Sequence, residues 1–181
     1  KLRAGLLLER LPSVFTFPHR TFQEYLAGSH LATQANFAAL GNELARQGAL
    51  WREVILLAAG KLVYLHGDLD KPLALVGELC PSKIDEADDL PWRKTWLAGD
   101  VLLEIGLQRV CDTNLGCDLL ERVRLRLADL LRLGMLAPVE RARAGDTLAK
   151  LSDPRSEVMT CEQMAFCHVP GGDFLFGDKK K

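Results

Sequence analysis

The sequence lacks any long apolar run. Its longest candidate, Val54 to Ala59, is followed by Gly60 and Lys61, whereas a membrane-spanning helix needs about 20 consecutive apolar residues. The N-terminus also lacks the layout of a signal peptide, because Glu9 and Arg10 end a short apolar run and no small-residue cleavage site follows. We therefore expect a cytoplasmic protein with no membrane partner.

Cysteines are too few and too scattered for a disulfide-bonded scaffold. The 181 residues include five of them, an odd number, which is typical of reduced thiols in a cytosolic chain. Structural zinc sites usually pair ligands roughly two to four residues apart. Neither Cys111 with Cys117 nor Cys161 with Cys167 and His168 has that spacing, so we expect no metal site.

A large excess of charge of one sign is also missing. The chain has 23 Lys and Arg residues against 24 Asp and Glu residues, a formal net charge of -1, and we expect no nucleic-acid partner. The densest basic run, Arg122, Arg124 and Arg126, is broken by Glu121 and Asp129. This pattern indicates the solvated face of a helix, with a phosphate-binding patch as the less favoured alternative.

The motifs of common catalytic sites are absent as well. Gly172 and Gly177 have the glycine spacing of a phosphate-binding loop, but that loop needs Lys and then Ser or Thr directly after the second glycine. Asp178 follows Gly177 here, and residues 174–176 are apolar. Neither HExxH nor Gly-x-Ser-x-Gly occurs. We expect this chain not to be an enzyme and to hold no cofactor by itself.

What the sequence does contain is a succession of amphipathic helices. Apolar residues at helical spacing predict helices at 37–47, 51–66, 72–79, 91–110, 115–133 and 138–151. An acidic stretch, residues 80–90, is expected to be a loop. Short helices with short breaks predict a mainly α fold, a stack of helical hairpins or a degenerate solenoid, although no strict repeat period is present.

Strand-like patterns flank the helices at both ends. Residues 3–18 predict a β-hairpin with its break at residues 11–13, and residues 165–176 predict a second hairpin around Pro170 to Asp173. After Ser156 the sequence pattern changes from helical to strand-like, which indicates that a new domain begins there. Because the chain begins with Lys1 and ends with three lysines just after a turn signal, we expect it to be a segment of a longer protein.

The junction between the first hairpin and the first helix offers one positional argument for function. Thr21 and Glu24 have the spacing of a capping box, which predicts a helix start near Thr21. His19 directly precedes that start, where backbone N–H groups point outward and anions are favoured. The imidazole could donate a hydrogen bond to a phosphate. The residues alone favour the alternative, a histidine that only caps the junction.

The same junction resembles a known family. Its sequence is Phe15-Thr16-Phe17-Pro18-His19-Arg20-Thr21-Phe22-Gln23-Glu24-Tyr25-Leu26-Ala27. This phrase is similar to the end of the winged-helix part of NACHT-type signal-transduction ATPases, the STAND class, and Gly5-Leu6-Leu7 is similar to the opening of that family's wing hairpin. The resemblance implies that His19 contacts the β-phosphate of ADP, with ATP or ADP and Mg bound by the parent protein rather than by this segment.

A second resemblance lies at the other end of the chain. Residues 168–177 are similar to the first hairpin of formylglycine-generating-enzyme-like (sulfatase-modifying) domains, which have a C-type-lectin-like core, and Phe176 departs from the usual Met. Residues 141–155 resemble the HEAT-like helix that precedes such domains in bacterial NACHT proteins. That family's catalytic cysteines lie far downstream, so no catalytic role carries over to this chain.

Together the resemblances imply three parts: residues 1–34 end a winged-helix domain, residues 35–155 form a helical arm that is HEAT-like at its end, and residues 156–181 begin the sulfatase-modifying-type domain. They imply a cytoplasmic, bacterial-type signal-transduction protein whose arm couples nucleotide state to a C-terminal sensor or effector. Its partners would be the upstream ATPase domain, the downstream domain and, on activation, further copies of the chain. The alternative is a helical-repeat scaffold for protein–protein interaction without a nucleotide role.

Overall fold

The computed structural model describes residues 7–85, 87–164 and 166–173. Over these residues the chain forms two strands and nine α-helices. The strands are β1 (Leu8–Leu11) and β2 (Val14–Thr16). The helices are α1 (Arg20–Ala32), α2 (Phe37–Gln47), α3 (Arg52–His66), α4 (Asp70–Leu79), α5 (Asp89–Ile105), α6 (Leu107–Val110), α7 (Asn114–Leu133), α8 (Pro138–Lys150) and α9 (Ser156–Met159), with one 3-10 turn at Ala49–Trp51. The mainly α prediction is confirmed.

The long helices pack in two layers. In the first layer α1 contacts α3, α3 contacts α5 and α5 contacts α8, while in the second α2 contacts α4 and α4 contacts α7. α5 also packs against α4 and α7 and so joins the layers. When the short α6 is left out, each of these helices contacts the long helix two positions further along the chain. Such contacts are typical of stacked helical hairpins and agree with the predicted array.

One apolar core runs through this stack. It extends from Leu31 and Ala32 of α1 to Leu148 of α8 and Leu151 just after it, with Trp92 of α5 fully buried near its centre. The predicted divisions at residues 34/35 and 155/156 stay predictions, but the second half of α1 contributes to the same core as the helices that follow it.

The N-terminal hairpin is present, as predicted. β1 and β2 are antiparallel, with Glu9 opposite Phe15, and the break at residues 12–13 includes Ser13 in a left-handed conformation with φ 63°. The backbone N–H of Ser13 donates to Glu9 Oε1 at 3.1 Å and helps to hold the turn. Residues 3–6 of the predicted hairpin lie outside the described part of the chain.

The start of α1 corrects one prediction. The helix begins at Arg20, with His19 as its N-cap, and no side chain accepts a hydrogen bond from its first N–H groups. Glu24 does not reach back in a capping box because its carboxylate binds Arg20 Nε at 2.6 Å, one turn earlier on the same helix. The predicted box of Thr21 and Glu24 is therefore wrong.

Three helix boundaries in the middle of the chain also differ from the predictions, and the first is the start of α4, at Asp70 instead of Pro72. α5 starts at Asp89 instead of Pro91, because Asp88 accepts a hydrogen bond from the N–H of Leu90 at 3.2 Å and caps the helix. The predicted helix to Val110 is broken at Gly106, whose φ of 91° is available to glycine but strained for other residues, and the short α6 follows.

The predicted C-terminal hairpin falls partly outside the described residues. Residues 166–173 have no strand, and the partner strand at residues 174–176 is not described. Within residues 156–164 and 166–173 the one regular element is α9, a single helical turn whose Glu157 binds Arg132 of α7 at 2.8 Å.

Candidate functional site

His19 lies at the point where the hairpin meets the helical stack. Its backbone is extended, with φ -130° and ψ 141°, and its carbonyl oxygen accepts a hydrogen bond from the N–H of Phe22 at 3.2 Å. The side chain is exposed and does not cap α1. Its imidazole makes no hydrogen bond to the described part of the chain, and its ring centroid is 6.2 Å from that of Phe22. The imidazole therefore makes no capping bond, although His19 occupies the N-cap position, and neither ring nitrogen has a hydrogen-bonding partner in the described chain.

Exposed apolar side chains precede and follow His19 in the chain. Phe15 of β2 and Tyr25 of α1 are 58% and 52% exposed. We call this the N-terminal apolar surface, and its exposed members are Leu8, Leu11, Val14, Phe15, Phe22, Tyr25 and Leu26. No residue of the hairpin contributes to the core. Large exposed apolar patches usually mark sites of interaction, and an isolated two-stranded hairpin has little stability of its own.

α1, which carries Phe22, Tyr25 and Leu26 of this surface, packs closely against α3. A Cβ atom on Gly28 would lie 2.9 Å from the carbonyl oxygen of Val54 and 3.1 Å from Cβ of Leu57. The backbones of α1 and α3 are therefore closer than any residue larger than glycine permits. The helix that begins beside His19 is therefore closely packed against α3 at Gly28.

A second polar feature lies inside the stack, between α3, α5 and α8. Asp100 is 8% exposed, and its carboxylate binds Arg52 Nε at 3.0 Å and the Thr147 hydroxyl at 2.9 Å. The indole N–H of Trp96 donates to the same hydroxyl at 3.0 Å. Burial raises the pKa of Asp100, and the attraction of Arg52 opposes that shift. The buried carboxylate of α5 therefore receives hydrogen bonds from α3 and from α8.

A cleft of about 180 Å³ opens beside that network, between the end of α2, the start of α3, α5 and α8. Its larger apolar side chains are Leu90, Trp96 and Leu97, and its charged side chains are Arg46, Arg52, Arg93, Lys94, Asp100 and Glu140. Sequence reasoning missed this cleft because its residues come from four helices and none of them forms a local motif. A basic residue on the otherwise apolar side of a helix, as Lys94 is beside Leu90, Leu97 and Ala98, was the available signal in the sequence.

The remaining sequence candidates are the five cysteines and the basic run of α7. Cys80 is buried, and burial raises the pKa of its thiol, while Cys111, Cys117, Cys161 and Cys167 are exposed. Within residues 7–85, 87–164 and 166–173, no group of three or more His, Cys, Asp or Glu side chains is placed to hold a metal ion. Arg122 and Arg126 donate to the backbone carbonyls of Cys80 and Ser82 at 3.3 and 3.1 Å, so both have a structural role in anchoring the acidic loop.

None of the helices in the described ranges is long and apolar enough to cross a membrane. Comparison of the chain with protein-family models, with curated proteins and with solved structures finds no match.

Proposed function

We propose that this chain is the regulatory coupling segment of a multidomain, cytoplasmic STAND-type ATPase, in which His19 contacts bound ADP and the helical stack transmits the nucleotide state. One observation carries the proposal: His19 is exposed, has no hydrogen-bonding partner in the described chain, and lies at the N-terminus of a helix that is locked against the stack. Nucleotide and Mg would be held by an upstream ATPase domain, and this segment would itself catalyse nothing.

The chemistry at His19 suits a phosphate. An imidazole N–H donates to a phosphate oxygen, and the partial positive charge at the helix N-terminus favours an anion there. Arg20, the next residue, binds Glu24 through Nε, so its positive charge is compensated by a neighbour on the same helix. Contact with one nucleotide and not another would provide the differential interaction that a two-state switch needs.

The N-terminal apolar surface supports an upstream domain as the partner. The ring of Phe22, one of its members, lies 6.2 Å from that of His19 between centroids, so a domain that covers Phe22 would bring its bound nucleotide close to His19. Covering the surface would also stabilise a hairpin that adds nothing to the core. The proposed sulfatase-modifying-type domain after residue 156 would then be connected to the far end of the same stack.

The direct test uses the full-length parent protein. His19→Ala is expected to lower the ADP content of the purified protein and to raise the fraction of oligomer without added ligand, as measured by nucleotide extraction and light scattering. His30→Ala is the matched control, because His30 is an exposed histidine at the other end of α1. Unchanged ADP content and an unchanged monomer fraction would refute the role of His19. A parent gene without a phosphate-binding loop upstream of Lys1 would refute the switch as a whole.

A protein–protein interaction scaffold is the second candidate. The two-layer packing of helices favours it, because stacked helical hairpins present extended binding surfaces without any catalytic group. In that case the N-terminal apolar surface would bind a separate protein, and nucleotide would have no effect on the binding.

A further inference from the structure

Two exposed cysteines lie together at the corner where α6 ends and α7 begins. Cys111 directly follows α6, and Cys117 lies in the first turn of α7. Both are free thiols on the surface. The thiol of Cys117 donates a hydrogen bond to the backbone carbonyl oxygen of Cys111 at 3.6 Å. Because that oxygen is two bonds away from the Cα atom of Cys111, the sulfur of Cys117 lies close to the point from which the other side chain starts.

The backbone holds this corner closed. A Cβ atom on Gly116 would overlap the carbonyl oxygen of Val110 and lie 2.9 Å from its carbonyl carbon. The N–H of the same glycine donates to the hydroxyl of Thr113 at 3.0 Å, which fixes the start of α7. Val110 and Gly116 directly precede the two cysteines. The contact between their backbones therefore keeps Cys111 and Cys117 side by side as part of the fold.

The two thiols also influence each other's chemistry. The pKa of Cys117 is raised, first by a hydrogen bond with the side chain of Cys111 and then by loss of hydration and by the negative charges of Cys111 and Asp118. A hydrogen bond that a thiol donates favours its protonated form. The titration of Cys117 therefore reports contact between the two side chains, in agreement with the backbone geometry.

A second pair of cysteines provides an internal comparison. Cys161 and Cys167 are also six positions apart and exposed. Within residues 156–164 and 166–173, however, no hydrogen bond joins one of them to the other. The spacing of six positions is therefore not sufficient to bring two thiols together, and the corner between α6 and α7 is what does so for Cys111 and Cys117.

We propose that Cys111 and Cys117 are a redox modification site, which hydrogen peroxide converts reversibly into an intramolecular disulfide that links the end of α6 to the start of α7. A disulfide needs Cα atoms no more than about 7 Å apart and side chains that can rotate into place, and these exposed side chains on adjoining backbone meet the second condition. The site is separate from His19 and does not depend on a nucleotide switch.

The reaction balances with peroxide as the oxidant. The thiolate of one cysteine attacks a peroxide oxygen, so that an S–O bond forms, the O–O bond breaks and hydroxide leaves. The sulfur of the other cysteine then attacks the sulfenic acid, the S–S bond forms, and the hydroxyl leaves with the thiol proton as water. Two electrons pass from the sulfurs to the peroxide. Two molecules of a small thiol return them by exchange and restore the dithiol.

The test treats the reduced 181-residue chain with hydrogen peroxide at about pH 8, where ordinary thiols are partly ionised. Remaining thiols are alkylated, and the chain is digested with trypsin without reduction. The peptide of residues 110–122 contains Cys111 and Cys117, and the peptide of residues 156–179 contains Cys161 and Cys167. We expect the first peptide to escape alkylation and to lose two hydrogens about tenfold faster than the second, because its thiols are already positioned.

The rates of these two peptides decide the proposal. A ring in residues 110–122 that a small thiol opens again would support it. Equal rates in the two peptides would overturn the role of the corner. Disulfides between molecules, or oxidation of Cys111 and Cys117 to sulfinic acid without a ring, would overturn the site itself.

Variants connect the disulfide to stability. Closing this short ring restricts the unfolded chain, so oxidation is expected to raise the melting temperature by a few degrees. The double variant Cys161→Ser/Cys167→Ser is the control and should keep the full increase. Cys111→Ser and Cys117→Ser replace exposed side chains, so both should fold normally and lose the increase. An increase that persists in either single variant would contradict the proposed link.

Discussion

The hydroxyl of Thr147 donates a hydrogen bond to the carboxylate of Asp100 over 2.9 Å, across the interface between α8 and α5. The same hydroxyl accepts from the indole N–H of Trp96 at 3.0 Å. Thr147 therefore connects a buried acid with a half-buried indole, and two groups would lose a partner if the hydroxyl were removed.

Thr147→Val is expected to destabilise the fold by about 1–3 kcal/mol, because valine keeps the shape of threonine but leaves the indole N–H of Trp96 without its acceptor and Asp100 with one donor fewer. Urea unfolding followed by circular dichroism measures the loss. Thr33→Val is the control, since its hydroxyl donates to the carbonyl of His30 at the exposed end of α1, and it is expected to cost less than about 0.5 kcal/mol. Equal effects of the two variants would rule out a special role for the buried network.

The close approach of α1 and α3 predicts an unusual response to alanine. Gly28→Ala is expected to destabilise by about 1–3 kcal/mol, because its Cβ would lie 2.9 Å from the carbonyl oxygen of Val54, a backbone atom that cannot rotate away. Gly77→Ala in α4 is the matched control. Its Cβ would meet only Leu119 Cδ2 at 3.9 Å, so the better helix propensity of alanine should stabilise by up to about 1 kcal/mol. In thermal unfolding, Gly28→Ala is expected to lower the melting temperature and Gly77→Ala to raise it.

Asp153 predicts a pH dependence. Its carboxylate binds Arg155 with 2.6 Å between Nη2 and Oδ2 and accepts the backbone N–H of Arg155 at 3.0 Å. The hydrogen bond from the Arg155 side chain holds the pKa of Asp153 below its ordinary value, and burial opposes this shift. Because the folded-state pKa is the lower one, this stabilisation is complete above about pH 4, the ordinary carboxyl pKa, and is lost as the pH falls through the folded-state value.

Asp153→Asn is therefore expected to reduce stability at neutral pH, with a deficit relative to the natural chain that shrinks as the pH falls below about 4. Urea unfolding at about pH 7, 5 and 3, values on both sides of the carboxyl titration, measures the deficit. Asp129→Asn, an exposed position on α7, is the control. A deficit that stays constant over this range would show that Asp153 acts through its shape and not through its charge.

The N-terminal apolar surface predicts a contrast between two phenylalanines. Phe15→Ala is expected to change the stability of the 181-residue chain by less than about 0.5 kcal/mol, because Phe15 is 58% exposed and lies outside the core. Phe37→Ala is expected to cost about 3–5 kcal/mol, because Phe37 is fully buried. In the full-length parent, a larger cost for Phe15→Ala would show that another domain covers the surface, and an unchanged small cost would contradict that coverage.

Much of the helical layout follows from local chemistry. Apolar residues at helical spacing, ended by a residue that cannot continue the helix, predict α2 at the observed residues, and Gly67 and Gly134 mark the ends of α3 and α7 in left-handed conformations. These features depend on residues within one or two turns of each other, and such contacts form in the same way wherever the helix finally lies.

The predictions that failed depended on competition between neighbours. At the start of α1, Thr21 and Glu24 have the required spacing for a capping box. The carboxylate of Glu24 binds Arg20 instead of a backbone N–H at the start of the helix. At the start of α5, Asp88 caps the helix, so that it begins two residues before Pro91, the residue from which the start was predicted. Sequence spacing alone does not show which of two possible partners a polar group will bind. The free energies of the two interactions depend on side-chain rotamers and on exposure to solvent.

By itself, the sequence determined the class of fold, the position of most helices and the placement of His19 between a hairpin and a helix start, because each of these follows from local spacing and capping chemistry. Only the tertiary structure decided that the helices stack in two layers, that the His19 side chain has no capping bond, and that charged side chains from four helices line one cleft. The physical reason is that desolvation and charge compensation depend on which distant residues come together, and no local pattern contains that information.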